Sequence, residues 1–253
     1  GLAGTNVHGV MEEAPAAPEP VRIDPADDRP AHLLSISARS PGALRDLAVR
    51  YGEQLQAGAS LPDVAFSAHT TRNRFEQRLA VAGRSAEEVA QRLASFVAHG
   101  EAPQLVTGVS RGRPPRVVFL FSGQGSQYPG MGAALYDAHP VFREVIDRCA
   151  AVLDDLLEVP LREVMFADPD ADGAERIHDT TYTQPCLFAL EVALAELWKS
   201  WGVEPAAVIG HSIGQLSAAC VAGVFSLEDG LKLVAERGRL MGALPRDGAM
   251  AAL

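Results

Sequence analysis

The chain has 253 residues, 47% of them hydrophobic and 21% charged, with a formal net charge of −10, which is apolar material enough for one large domain or two modest ones. The acidic balance argues against a nucleic-acid partner, whose phosphates bind clustered Lys and Arg, and no run of about 18 apolar residues offers a membrane span. A cytoplasmic α/β protein is expected. Cys149, Cys186 and Cys220 are odd in number and lack metal-ligand spacing, so they read as buried thiols of a reducing compartment, with neither disulfide nor zinc. Residue 1 is Gly rather than Met, and the chain closes at Leu253 in what reads as the start of a strand, so a segment of a longer protein is expected.

In chain order, a Gly-rich turn leads into a short strand at 6–11. Prolines at 15, 18, 20, 25 and 30, interspersed with acids, then mark a linker. A strand follows at 32–37, and a helix opens after Ser40 with Pro41 in its first turn and Leu44, Leu47, Ala48, Tyr51 and Leu55 on one face. Further elements are a helix at 61–70, a strand at 76–82 and a helix from Ser85, whose capping box is completed by Glu88, to about Ala98. The result is a small β-α-α-β-α unit. Residues 116–121 are so continuously apolar that they predict the centre of a parallel sheet covered on both faces. Helices at 131–136, 140–157 and 185–201 and a second buried strand at 206–209 complete a βαβ pattern.

Gly210-His-Ser-Ile-Gly214 joins that last strand to an Ala-rich helix at 215–222. Strand, tight GxSxG turn and helix together define a nucleophile elbow, which lifts a serine oxygen into solvent beside the N–H groups of a helix start. Ser212 is therefore the candidate nucleophile, and its neighbour His211 is assigned a packing or hydrogen-bonding role rather than that of base. The histidines are 8, 32, 69, 99, 139, 178 and 211, none after Ser212; either an earlier one folds back or the base lies beyond Leu253. The loop Ser122-Gly-Gln-Gly-Ser-Gln127 lacks the Gly-Lys-Ser/Thr ending of a P-loop, and Tyr128 occupies the third glycine of a dinucleotide fingerprint. At the end of a parallel strand it can still contribute Gln124 as an amide donor. A helix capped by Ser226 carries Arg237 on the flank of its apolar face, where it serves either as a solvated surface arginine or as a carboxylate fork.

From residue 113 to 253 the sequence resembles the acyltransferase domain of polyketide and fatty acid synthases. The resemblance rests on Phe119-Leu-Phe-Ser-Gly-Gln-Gly-Ser-Gln127, Gly210-His-Ser-Ile-Gly214, and Gly223-Val-Phe-Ser-Leu-Glu-Asp229 leading to Glu236-Arg-Gly-Arg-Leu-Met241. It implies that Ser212 takes an acyl group from coenzyme A, that Gln124 and the backbone N–H of Ile213 form the oxyanion hole, and that Arg237 grips the extender unit's free carboxylate. The family's histidine base lies roughly a hundred residues past the serine, and its ferredoxin-like subdomain would begin at 249–253. Gln215 stands where the family usually has Glu. Asp179-Thr-Thr-Tyr-Thr-Gln184 is similar to the pattern for malonyl rather than methylmalonyl transfer, which makes Tyr182, Thr183 and Gln184 specificity residues; Ile213 points the same way.

Residues 1–30 resemble a ketosynthase C-terminal end with its Pro-rich linker, and residues 31–112 the small α/β linker domain between ketosynthase and acyltransferase. The expectation is thus an α/β linker domain followed by an incomplete acyltransferase domain with a parallel-sheet, α/β-hydrolase-like core. The resemblance further implies malonyl-CoA as substrate, no covalently bound cofactor or metal, and phosphopantetheine on a partner acyl carrier protein. Partners would also include the ketosynthase of the same synthase, through which the parent dimerises, with neither nucleic acid nor membrane involved. Two alternatives are a serine hydrolase of the α/β-hydrolase type, which shares the elbow, and a non-catalytic scaffold spacing neighbouring domains. The fragment alone is expected to be poorly active.

Overall fold

The computed structural model describes residues 8–13, 29–112 and 115–245. Residues 8–11 of the expected first strand carry no regular structure, having no partner strand among the described residues. The rest of that strand, the linker at 15–28 and the strand at 249–253 lie outside the described residues.

The first unit runs β1 (His32–Ala38), α1 (Pro41–Gln56), α2 (Leu61–Thr70), β2 (Gln77–Gly83), α3 (Ala86–His99) and β3 (Leu105–Val109). Its strands form an antiparallel sheet in the order β1-β2-β3, with Leu34 opposite Val81 and Leu79 opposite Thr107. Alternation turns Leu34, Ile36, Leu79 and Val81 inward, where they meet Leu44, Ala48 and Leu55 of α1 and Val89, Leu93 and Phe96 of α3. Ser40 caps α1 by accepting the Ala43 N–H (3.2 Å), and Ser85 caps α3 by accepting that of Glu88 (3.3 Å). The Glu88 carboxylate receives the N–H of Arg84 rather than that of Ser85, closing the capping box one residue further out. The sequence pattern does not show β3, a five-residue edge strand that contains Gly108 and is exposed almost throughout, so it carries no alternation to detect.

The second unit holds β4 (Val117–Phe121), α4 (Ala133–Ala138), α5 (Pro140–Leu153), α6 (Leu161–Met165), a 3-10 turn (Ala174–His178), α7 (Thr180–Ser200), β5 (Pro205–Gly210), α8 (Gly214–Val221) and α9 (Leu227–Gly242). β4 and β5 are parallel, with Phe121 beside Gly210, as the βαβ pattern requires. Phe119, Phe121 and Val208 pack on Ala195 of α7 and Ala218 of α8. The expectation that both faces are covered fails: Val118, Leu120 and Ile209 on the opposite face are 44%, 75% and 59% exposed, and no described element packs there. The helical side is well filled, with Phe142, Ile146, Leu153, Phe188, Leu231 and Val234 fully buried.

Three helix boundaries differ from expectation. α5 ends at Leu153 because Asp154 turns its carboxylate to the N–H of Leu161 (2.9 Å), starting the approach to α6. α4 begins after Gly132, whose φ of +83° turns the chain. α7 starts at Thr180, five residues before the proline, because Asp179 caps it by accepting the Thr181 N–H (2.9 Å). Pro185 then sits inside the helix, leaving the Thr181 carbonyl without its i+4 donor. No helix among the described residues is long and apolar enough to cross a membrane.

Candidate active site

The elbow depends on two glycines. A Cβ on Gly210 would lie 2.0 Å from the carbonyl oxygen of Gly214, and one on Gly214 would lie 2.4 Å from that of Ser122. Only bare backbone fits, so the chain can reverse between strand and helix within three residues. Ser212, at the apex, is exposed and adopts a left-handed φ of +51°. Its turn is held by the N–H of Gly214 on the His211 carbonyl (2.9 Å) and that of Gln215 on the Ser212 carbonyl (3.0 Å). The Ile213 N–H, at the mouth of α8, donates to no group among the described residues, as expected of a helix start.

The loop after β4 lies against this turn. The His211 N–H donates to the Phe121 carbonyl (3.1 Å), and a Cβ on Gly123 would meet His211 Nδ1 at 2.6 Å. The His211 ring thus packs against the loop backbone. Gln124 is exposed on this loop and donates from Nε2 to Thr180 Oγ1 (3.0 Å). The same oxygen accepts from Nε2 of the fully buried Gln184 (2.9 Å), which also reaches Met241 Sδ (3.3 Å). Gln184 Oε1 in turn accepts from Nη1 of Arg237, a half-buried residue of α9. One chain of hydrogen bonds therefore joins Gln124, Thr180, Gln184 and Arg237.

Close packing of α7 on α9 makes this possible. A Cβ on Gly238 would stand 3.0 Å from the Thr180 carbonyl oxygen and 3.1 Å from that of Thr181, so the glycine next to Arg237 lets the helices touch. Thr180, the hub, was missed by sequence reasoning. A signal existed, since it lies four residues before Gln184 on the same helix face. Of the other specificity candidates, Thr183 is fully buried and donates to the backbone carbonyls of Ile177 (2.6 Å) and Asp179 (2.9 Å). Tyr182 is half-buried and lines an open cleft of about 640 Å³ together with Arg176, His178, Thr180 and Met241.

No histidine hydrogen-bonds the Ser212 hydroxyl among the described residues. His178 instead meets Gln127 Nε2 through Nδ1 (3.2 Å), and Gln127 Oε1 accepts the Gly125 N–H (2.7 Å). Gln215 is exposed on the first turn of α8. The thiols are poor nucleophiles: burial pushes Cys149 up to about 12, Cys220 to about 11 and Cys186 higher still. Among the described residues no His, Cys, Asp and Glu grouping is arranged to hold a metal.

An exposed serine on a left-handed turn at the end of a parallel strand, with the loop that carries Gln124 packed against it, has the geometry of a nucleophile elbow. Residues 118–253 match the family model of the acyl transferase domain, and the chain belongs to that family. Residues 32–93 match a second model, described as CurL-like, PKS C-terminal. The chain is 47% identical over 255 residues to the polyketide synthase GfsB of Streptomyces halstedii, covering all of this chain and 4% of that protein. In solved structures it is similar to the acyl transferase domain of ZmaA (TM-score 0.79, 36% identity, 86% of this chain and 50% of that one). It is also similar to that of SpnD in complex with 2-(pent-4-yn-1-yl)malonyl (TM-score 0.72, 37% identity, 84% and 49%). The chain thus spans a small fraction of the curated relative and about half of each solved domain. These matches favour acyl transfer over the serine-hydrolase alternative.

Proposed function

We propose that the chain is part of a polyketide synthase module in which Ser212 accepts a malonyl unit from coenzyme A and passes it to the phosphopantetheine thiol of an acyl carrier protein. Residues 1–30 are then the end of a ketosynthase with its linker, 31–112 the inter-domain unit and 113–253 the transferase. The parent is a cytoplasmic homodimer joined through its ketosynthase. The observation that carries the reading is the left-handed Ser212 beside a loop whose Gln124 is linked through Thr180 and Gln184 to Arg237.

In the first half-reaction Ser212 Oγ attacks the thioester carbonyl carbon; the new C–O bond replaces the C–S bond, and coenzyme A leaves as a thiol. The serine proton passes to a base and on to the departing sulfur. We assign that base to a histidine outside these 253 residues, as the family resemblance implies; among the described residues no histidine hydrogen-bonds Ser212, and His178 and His211 lie against Gln127 and Gly123. Negative charge growing on the carbonyl oxygen falls to the Ile213 N–H and the second hydrogen of Gln124 Nε2, whose first is held by Thr180. Arg237 spends one N–H on Gln184 and keeps the others for the substrate carboxylate. In the second half-reaction the carrier thiol attacks the ester, and Ser212 regains its proton. We assign the preference for malonyl over a branched unit to Tyr182, which lines the open cleft; the Ile213 side chain is fully buried in the core, so that residue acts through its N–H alone.

The test is acylation of the full synthase polypeptide by malonyl-CoA and methylmalonyl-CoA in competition, read by mass spectrometry of the Ser212 peptide. Malonyl is expected on Ser212, lost in Ser212→Ala and reduced in Arg237→Ala. Label surviving Ser212→Ala would remove the nucleophile assignment, and preferential methylmalonylation would remove the malonyl assignment.

A further inference from the structure

One buried ionisable group has no part in this mechanism. Glu191, on α7, is 7% exposed, yet no cation pairs with it: burial raises its pKa, and only hydroxyl and backbone donors oppose the rise. Its Oε1 accepts both the N–H (2.7 Å) and the hydroxyl (2.9 Å) of Ser122, the first residue of the loop that carries Gln124. Ser126, at the far side of that loop, lies 2.9 Å from Ser122 Oγ and 3.2 Å from the Gly123 carbonyl oxygen. The near shoulder of Gln124 is thus tied to the carboxyl group, and Ser126 at the far shoulder is held within the loop, by the Gly123 carbonyl.

The other carboxyl oxygen has helix α8 as its neighbour, through Ser217. Glu191 Oε2 and Ser217 Oγ are both fully buried and without a hydrogen bond, and Ser217 lies on α8, the helix that starts at the Ser212 turn. The Ser217 hydroxyl is near enough to lower the Glu191 pKa, although it falls short of hydrogen-bond geometry. As a stabilising device the arrangement is poor, since a buried, incompletely paired carboxyl opposes folding where an apolar side chain of similar size would favour it.

We propose that Glu191 is a positioning residue that clamps the loop after β4 to helix α8, so that the Gln124 amide and the Ile213 N–H converge on one point. The assignment rests on the reading of those two groups as oxyanion donors. Glu191 touches no substrate; it acts through Ser122 and Ser217.

The experiment measures single-turnover acylation of Ser212 by malonyl-CoA in the full synthase polypeptide, together with thermal unfolding. Losing an oxyanion donor outright costs about 10²–10³ in rate, and misaiming one costs less. Glu191→Met is therefore expected to lower kcat about 10- to 100-fold with KM unchanged and Tm unchanged or raised, water replacing the carboxylate at the exposed Ser122. Glu191→Gln keeps an acceptor for Ser122 and offers a donor to Ser217, so it should recover to within about threefold of wild type. Ser122→Ala, which leaves the core intact, should lower kcat severalfold and serves if Glu191→Met does not fold. Wild-type kcat in a folded Glu191→Met or in Ser122→Ala would overturn the proposal, as would a loss in Glu191→Gln equal to that in Glu191→Met. Gln124→Ala separates the two levels: if it costs nothing, the oxyanion reading itself is wrong, whereas a large loss there with none in Glu191→Met rejects only the clamp.

Discussion

Thr180→Val tests whether the hydrogen-bond chain from Gln124 to Arg237 is functional or incidental. Valine matches threonine in shape and removes only the oxygen that accepts from Gln124 and Gln184. The two losses differ in weight. Gln124 is exposed, so water replaces Thr180 at almost no cost in stability. Gln184 is fully buried and would keep Met241 Sδ as the sole partner of its amide nitrogen, and a buried donor left unsatisfied costs about 1–3 kcal/mol. For a domain of this size that lowers Tm by roughly 2–4 °C per kcal/mol. The kinetic signature should be larger. Gln124 loses its tether, which lowers kcat, and Gln184 is free to rotate its carbonyl away from Arg237, which raises KM for the acyl-CoA. Steady-state transfer from malonyl-CoA to carrier protein, with differential scanning fluorimetry, measures both. A variant that loses stability but keeps kcat and KM at wild-type values would show that the chain of bonds serves packing alone.

Gly238→Ala places a methyl group 3.0–3.2 Å from the Thr180 and Thr181 backbone. Overpacking costs about 1–3 kcal/mol, and the gain in helix propensity returns about 1 kcal/mol. Calorimetry should therefore show a net loss of at most about 2 kcal/mol, while KM rises as α9 carries Arg237 away from Gln184. A second expectation concerns pH. Because burial raises the Glu191 pKa above 4.5, folding favours its protonated form. The stability contributed is complete below the unfolded-state value and is lost as pH rises through the folded one. Glu191→Gln should flatten that part of the curve, so the variant gains on wild type as pH rises in urea titrations; an unchanged difference across the range would contradict the shift. A third expectation concerns the core: Phe188→Ala, at a fully buried ring that meets α9 at Gly230, should cost about 3–5 kcal/mol in chemical denaturation.

How legible the molecule is in its sequence depends on the range of each signal. The elbow is legible because its determinants lie within five residues of Ser212, and the caps at Ser40, Ser85 and Ser226 because each acts over three. The strands β4 and β5 stand out as apolar runs, but the bare face bearing Leu120 and Ile209 does not, since strand composition does not report what lies opposite. β3 escapes because an exposed edge strand has no periodicity. Pro185 misleads because it suggests a first-turn position, whereas the cap at Asp179 starts α7 earlier. The meeting of Gln124, Gln184 and Arg237 depends on two helices touching at Gly238, a tertiary event that no local spacing encodes. Glu191 is, in the sequence, one polar residue of an apolar helix, with no hint of which loop it holds.

The backbone at Ser212 also limits which nucleophiles evolution or a protein engineer could install there. With φ at +51°, a second heavy atom on the β-carbon crowds the neighbouring carbonyl. Threonine, chemically the nearest substitute, should therefore distort the turn, while unbranched cysteine fits it. Interchange at this position is governed by the shape of the β-carbon more than by the chemistry of the attacking atom.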